Sequence, residues 1–358
     1  MRGPARAGPV DAMAGPVLIN ARAAVRDEVG GVERWARELA GRLPALRPGA
    51  YRVARPRPRL AHRAGHLWEQ TALPAQAARI GASLVLSPAN LAPLAWPHNV
   101  VVIHDAVALA HPEWYSAGYV AWQRRVLPPL ARRAVSVITV SEFSRDEIVE
   151  LLGADPERVS VIAGGVDPRF CSDADAQAAR AALNLQRPYV LTVATTSARK
   201  NLSALACAAG RLADEGVDLV AAGGGRPYLR DTVPAAGVRA IGYVPESLLP
   251  GLYAGARAFV MPSMHEGFGL PAVEAMAAGV PVVAADRGGL PEACAGAALL
   301  VAADDHDALA DAVLSAAFDE PERGRLISAG QARAAELTWD QTAAAVDRLL
   351  VGVTADIS

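Results

Sequence analysis

Short apolar runs recur along this chain, and most are followed by a polar or glycine-bearing loop and then by a helical pattern. The runs at 16–20, 83–87, 99–103, 135–140 and 159–162 fill the first half, and those at 189–193, 217–222, 238–241, 258–261, 280–285 and 298–301 fill the second. Runs of this length with no polar face read as buried strands. Strands that alternate with helices argue for parallel sheets covered by helices. The pattern pauses at Gly164-Gly165-Val166-Asp167 and then restarts, and 358 residues suit two domains of ordinary size. The expected order is a disordered tail over 1–15, an α/β domain over 16–165, a second over 166–340, and a last segment, 341–358, whose helix crosses back to the first domain.

Charge and cysteine usage narrow the partners. The net charge of −2 gives no basic surface for a nucleic acid. Cys171, Cys207 and Cys294 lie far apart, without a pairing pattern or metal-ligand spacing, which favours a reducing, cytoplasmic setting. No apolar run approaches the roughly 20 residues of a membrane helix. The first 15 residues are basic but have no apolar core, so they do not read as a secretory signal.

The chemistry centres on 259–285. A strand runs into a loop carrying Glu266, Gly267, Phe268 and Gly269, and Leu270 and Pro271 then open a helix that holds Glu274 and stops at Gly279. Two carboxylates thus flank a loop-to-helix junction, where free N–H groups and the helix dipole suit a phosphate. Helical side chains lean toward the N-terminus, so Glu274 reaches back toward that ligand. An anion beside a polyhydroxyl group is a nucleotide sugar. The plainer alternative for Glu274 is an acidic residue favouring its own helix dipole.

Cations sit at a matching place. Lys200 is the only lysine in the chain, and Arg199-Lys200 follows the first strand of the second domain. Ligands bind beyond the carboxyl ends of strands in open α/β sheets. There the pair forms a diphosphate clamp that takes up charge on a leaving diphosphate, with no metal required. In the first domain, His104 stands at the same kind of strand end. Asp105 either orients its imidazole or caps the next turn. Gly30-Gly31 open a helix with Val32, Trp35, Ala36, Leu39 and Leu43 on one face, either to receive a phosphate or sugar hydroxyl or only to make a tight turn.

Other features carry less. The segment 112–133 mixes Trp114, Tyr115, Tyr119 and Trp122 with Arg124, Arg125, Arg132 and Arg133. It is read either as a peripheral membrane contact or as a half-buried helix with its arginines in water. Ser141 and Ser144 suit a helix start, with capping-box spacing from Ser144 to Glu147. The Asp173-Ala174-Asp175 string falls between domains and reads as solvated surface, and Asp304-Asp305 as a helix cap. Two carboxylates also suit glycoside hydrolysis, but Glu274 in a helix start beside a phosphate clamp is better used on ribose hydroxyls.

These residues together resemble the retaining glycosyltransferases of family 4, of the GT-B fold, in particular bacterial mannosyltransferases of polysaccharide biosynthesis. The likeness covers roughly residues 16–350. It rests on the Glu266–Glu274 element, Arg199-Lys200-Asn201, Gly30-Gly31 and His104. Trp68-Glu69-Gln70, Ser141-Glu142-Phe143-Ser144, Gly242-Tyr243-Val244 and Gly288-Gly289-Leu290-Pro291-Glu292 are similar too.

The resemblance implies two Rossmann-like domains facing each other across a cleft. Glu274 would bind ribose, and Glu266 with the 267–270 backbone would hold sugar hydroxyls and phosphates. Arg199 and Lys200 would neutralise the diphosphate, His104 would contact the transferred sugar, and Tyr243 and Val244 would meet the base. Ala194 and Thr195 stand where many members have a glycine and an arginine, and Ala163-Gly164 stands where Asn-Gly is commoner.

The expected protein is therefore a cytoplasmic, metal-independent, retaining hexosyltransferase with no cofactor beyond its nucleotide-sugar substrate. GDP-mannose is the first choice of donor, and a glycan, a lipid-linked sugar or a metabolite the acceptor. A sugar-nucleotide epimerase or hydrolase, or a non-catalytic nucleotide-sugar-binding protein, are the alternatives. Because the site draws on both domains, closure is part of the expected mechanism, and a crystal of the empty protein can show these groups too far apart to react.

Overall fold

The computed structural model describes residues 15–26, 28–57, 65–170, 174–225, 228–229 and 235–357. Two six-stranded parallel sheets form, one in each half of the chain. In the first, strands β1 (Val17–Asn20), β2 (Tyr51–Ala54), β3 (Leu84–Ser87), β4 (Asn99–Val102), β5 (Ser136–Thr139) and β6 (Val159–Val161) lie in the order β2-β1-β3-β4-β5-β6. In the second, β7 (Tyr189–Val193), β8 (Asp218–Ala222), β9 (Val238–Gly242), β10 (Phe259–Met261), β11 (Val282–Ala285) and β12 (Leu299–Val301) lie in the order β12-β11-β10-β7-β8-β9. The central strands are buried throughout, as their largely apolar sequences require. Strand order reverses between β1 and β3 and again between β7 and β10. Those two switch points open the crevices in which α/β sheets take ligands.

The strands fall within a residue or two of the apolar runs. The exception is β2, in a segment rich in Arg, Pro and His. Helices Gly65–Gln70 and Ala72–Ile80 follow it, and 58–64 lie outside the described residues. The expected tail over 1–15 likewise falls outside them, except for Gly15.

One capping reading is corrected, at Ser144, and one left open is decided, at Asp105. Helix Glu142–Leu152 is capped by Ser141, whose hydroxyl accepts from Ser144 N at 3.0 Å, so Ser144 sits inside the helix rather than at its start. Asp105 accepts from Val107 N at 3.3 Å and caps the next turn. The caps at Asp175 and Asp305 accept from Ala178 N and Ala308 N.

The segment 112–133 takes its half-buried form. Tyr115 is buried, Tyr119 stacks between Tyr115 and Tyr228, and Trp122 packs on His66. Arg124, Arg125, Arg132 and Arg133 are exposed. Among the described residues no helix is long and apolar enough to cross a membrane.

Two crossings join the domains side by side. Val166 N donates to Leu337 O at 2.8 Å, and Thr342 Oγ1 donates to Ala163 O at 2.9 Å. The last helix, Trp339–Asp356, starts there in a capping box made by Thr338 and Gln341 and packs on helix Gly31–Leu46 of the first domain. Trp35 and Trp339 meet edge to face with centroids 5.6 Å apart. Asp347, in the last helix, accepts from Tyr51 at 2.5 Å and from Arg47 at 2.8 Å.

Gly165 lies where these crossings touch. A Cβ there would come within 2.7 Å of the Trp339 Cα, backbone that cannot swing aside. Gly165→Ala is therefore expected to cost about 3 kcal/mol through overpacking, read as a lower urea midpoint at unchanged slope. An unchanged midpoint would show that the crossings are not packed as described.

The cleft is closed. Ser141 and Ser144 hydroxyls donate to the Gly267 carbonyl at 2.5 and 3.2 Å, Glu142 N donates to Glu292 Oε2 at 2.8 Å, and His265 Nε2 lies 2.9 Å from Glu147 Oε1. These contacts bring the two halves of the site together across the cleft.

Candidate functional site

A cavity of about 340 Å³ lies between the carboxyl ends of the two sheets. Gly30, Gly31 and His104 line it from the first domain. Thr195, Arg199, Lys200, Tyr243, Val244, Glu266, Gly267, Phe268, Gly269 and Leu270 line it from the second. Every residue singled out from the sequence faces this space except Glu274.

Local folding explains the placement. After β7 the chain makes a short turn at Ala198–Lys200, which leaves both cations at the strand end. Asn201, at φ +51°, then donates to Pro262 O and Ala303 O and so ties this turn to the loop after β10. Met264 N donates to Arg199 O at 2.8 Å, and Arg199 Nη1 donates to His265 O at 2.8 Å. The two switch-point loops are therefore tied to each other. Gly267 is required by the opposite wall, because a Cβ there would come within 2.5 Å of the His104 carbonyl. The Gly288-Gly289 turn backs this loop, with Gly289 N donating to Glu266 O at 2.8 Å.

Glu266 sits between the cations. Its Oε1 accepts from Lys200 Nζ at 2.5 Å and its Oε2 from Arg199 Nη1 at 3.0 Å. Burial alone would raise this carboxyl, but the Arg199 and Lys200 charges outweigh it and hold Glu266 at about 2. Burial pushes the Lys200 ammonium down, with Arg199 adding to the effect and Glu266 opposing it. Arg199 is driven the other way: burial lowers it, and Glu266 more than restores it. We take Glu266 as firmly ionised because two cations hold it, and Lys200 as the member that burial disfavours. The trio carries a net positive charge of one, poised for an anion.

His104 is buried, with its Nε2 3.0 Å from the Pro88 carbonyl. A carbonyl only accepts, so Nε2 carries the proton and Nδ1 is left as an acceptor. Burial pushes the imidazole down, against the Pro88 bond and the Asp105 charge, which keeps it neutral. Trp35 meets its ring edge to face at 5.6 Å. A neutral histidine fixed this way is suited to receive a hydroxyl proton, not to pair with an anion.

Glu274 is buried behind the cavity wall. Tyr253 OH donates to its Oε2 at 3.0 Å, and Arg34 Nη1 of the first domain lies 3.2 Å from its Oε1. Burial raises its carboxyl, opposed by Arg34 and Tyr253.

Several lining residues were not singled out from the sequence as site residues. Gly223, Gly224 and Gly225 line the cavity beyond β8, and Glu28 and Trp35 line it from the first domain. The glycine triplet at a strand end was a usable signal; Trp35 reads only as a core position on its helix. Of the remaining similar stretches, Glu69 accepts from Asn20 Nδ2 at 2.8 Å and pairs with Arg22 at 2.8 Å beneath the end of β1. Glu292 joins the domains through Glu142.

Comparison with known proteins follows the same division. A family model described as Glycosyltransferase Family 4 matches residues 29–170, and one described as Glycosyl transferases group 1 matches 187–319. The O-antigen chain mannosyltransferase B of Escherichia coli is 31% identical over 262 residues, 68% of each chain. Other relatives are longer: the chain spans 56% of the MMP alpha-(1->4)-mannosyltransferase of Mycolicibacterium hassiacum, at 33% identity over 64% of its own length. Among solved structures, Anabaena HepE in complex with UDP-glucose superposes with a TM-score of 0.70 at 22% identity, covering 94% of this chain and all of that one.

Proposed function

The chain belongs to glycosyltransferase family 4, and from that membership we propose that it transfers a hexose from a nucleotide sugar, with retention at the anomeric carbon and without a metal ion. The observation that carries this reading is the convergence of Lys200, Arg199 and Glu266 from one domain with His104 from the other on a single cavity. GDP-mannose is the first choice of donor, supported by the two mannosyltransferase relatives. The UDP-glucose in the HepE complex makes uridine the base to test against it. The acceptor is a glycan, a lipid-linked sugar or a metabolite, and the setting is the cytoplasm.

In this reading the bond between the anomeric carbon and the diphosphate oxygen breaks, and the oxygen keeps the electron pair. The charge that gathers on the diphosphate falls on Lys200 and Arg199, fixed donors in a site screened from water. The acceptor hydroxyl adds from the same face and its proton passes to a donor phosphate oxygen. His104 Nδ1 accepts from a hydroxyl of the transferred sugar and so orients the ring. Tyr243 and Val244 meet the base.

A thermal-shift series with GDP, UDP and dTDP, followed by their hexose conjugates, tests the reading. A ligand that binds only the folded state raises the melting point, by the equivalent of about 2.7 kcal/mol at a hundredfold excess over Kd. One base is expected to stand out, with donor consumption that depends on an added acceptor. Consumption with no acceptor would favour an epimerase or hydrolase, and no shift with any of them would overturn the reading.

A further inference from the structure

Glu266 is preceded by a buried histidine whose ring the other domain holds. His265 Nε2 lies 2.9 Å from Glu147 Oε1, on helix Glu142–Leu152 of the first domain. A carboxylate only accepts, so Nε2 donates. Nδ1 is buried without a hydrogen-bond partner among the described residues, which leaves Glu147 as the polar hold on this ring. Two ring contacts also come from the first domain: Phe143 meets His265 edge to face at 5.1 Å and His111 at 5.8 Å. The main chain of the same residue serves the second domain. Its carbonyl accepts from Arg199 Nη1 at 2.8 Å, and that nitrogen also donates to Glu266 Oε2 at 3.0 Å. The angle at which the Arg199 guanidinium meets the cavity is therefore set by residues 265 and 266 together. Main-chain bonds from Met264 N to Arg199 O and from Gly289 N to Glu266 O fix the loop on either side of His265. Glu147 supplies the hold at the residue between.

We propose that Glu147 is a positioning residue of the diphosphate site: from the first domain it seats His265, and through the His265 carbonyl it sets Arg199 against the diphosphate. The inference rests on the nucleotide-sugar reading above and adds to it the group that fixes one cation of the clamp. Glu147 does not line the cavity and touches no ligand in this scheme. Its effect passes through one residue, because the ring it holds and the carbonyl that receives Arg199 are both His265. Small displacements matter at such a place. A donor fixed at the wrong angle must turn as charge gathers on the diphosphate, and the advantage of a preorganised site is lost.

The test is calorimetric binding of the preferred nucleoside diphosphate and the matching monophosphate. Wild type is expected to favour the diphosphate. In Glu147→Ala that preference is expected to narrow about threefold or more through weaker diphosphate binding, with the monophosphate bound as in wild type. Glu147→Gln, whose amide oxygen still accepts from Nε2, is expected to keep most of the preference. In an Arg199→Met background, Glu147→Ala is expected to narrow it no further, since residues that act through one another are not additive. His265→Leu removes the ring but keeps the carbonyl. It is expected to narrow the preference as Glu147→Ala does, and serves if that variant does not fold.

Equal weakening of both nucleotides would overturn the proposal, because a residue that only joins the domains affects the two alike. Further narrowing in the Arg199→Met background would overturn it too, since Glu147 would then act by another route. A wild-type preference that Glu147→Ala and His265→Leu both keep would overturn it while leaving the nucleotide-sugar reading intact. Wild type that binds no nucleoside diphosphate, or binds it no better than the monophosphate, would overturn both.

Discussion

Lys200→Met is expected to lower sugar transfer by about a thousandfold while leaving the melting temperature where it is or slightly above. The first expectation follows from position. Lys200 is one of two cations at the strand end facing the cavity, and fixed charges aimed at a developing anion contribute about 3 to 4 kcal/mol each. The second follows from burial. Lys200 is 7% exposed and its ammonium is pushed down by burial, so keeping it charged there opposes folding. Glu266 retains Arg199 when Lys200 is gone, so no carboxylate is stranded. A site that gives up stability for chemistry gains stability when the chemistry is removed. The measurement is initial rate and melting temperature on the same preparation. Full turnover would remove Lys200 from the mechanism, and a large drop in melting temperature would make it structural.

Glu266→Gln is expected to cost about a hundredfold or more in transfer and to change the acid response. Its amide no longer satisfies both cations, and its NH₂ group faces one of them. The sign of the pH effect follows from the carboxyl. It titrates near 2 in the folded protein and at an ordinary carboxylate value near 4.5 when unfolded. Its contribution is therefore fully present above about 4.5 and is lost as the pH falls from there toward 2. That contribution is at most about 3 kcal/mol. Urea unfolding between pH 6 and 3 should show wild type losing stability more steeply than Glu266→Gln through that window. Parallel curves would mean that Glu266 is not held by its two cations.

The strands could be read from the chain because buried parallel strands are apolar on both faces. Val100, Val101 and Val102 leave no other choice, and each strand end then points to a site residue by position alone: His104 beyond β4, Lys200 beyond β7, Glu266 beyond β10. Strand β2 was not legible because it lies at an edge with Arg52 exposed, which breaks the apolar run. The residues that face the cavity were legible in both domains from their places at strand ends and helix starts, whereas the contacts made between the domains were not. Nothing marks Arg34 among the many arginines of this chain. Its partners, Glu246 and Glu274, lie more than two hundred residues away in the other domain. Glu274 was legible as a carboxylate in a helix start, but its seclusion behind Arg34 and Tyr253 was not. The support of His104 by the Pro88 carbonyl rather than Asp105 is likewise a product of loop packing, which spacing does not encode.

The central claim is that this cavity takes a diphosphate on Lys200 and Arg199. Calorimetric titration of the preferred nucleoside diphosphate and the matching monophosphate, against wild type and Lys200→Met, tests it most directly. Wild type is predicted to favour the diphosphate by about tenfold or more, the equivalent of about 1.4 kcal/mol, and Lys200→Met to lose that preference while binding the monophosphate as before. Equal affinity for the two nucleotides in wild type, or a preference that survives the loss of Lys200, would contradict it.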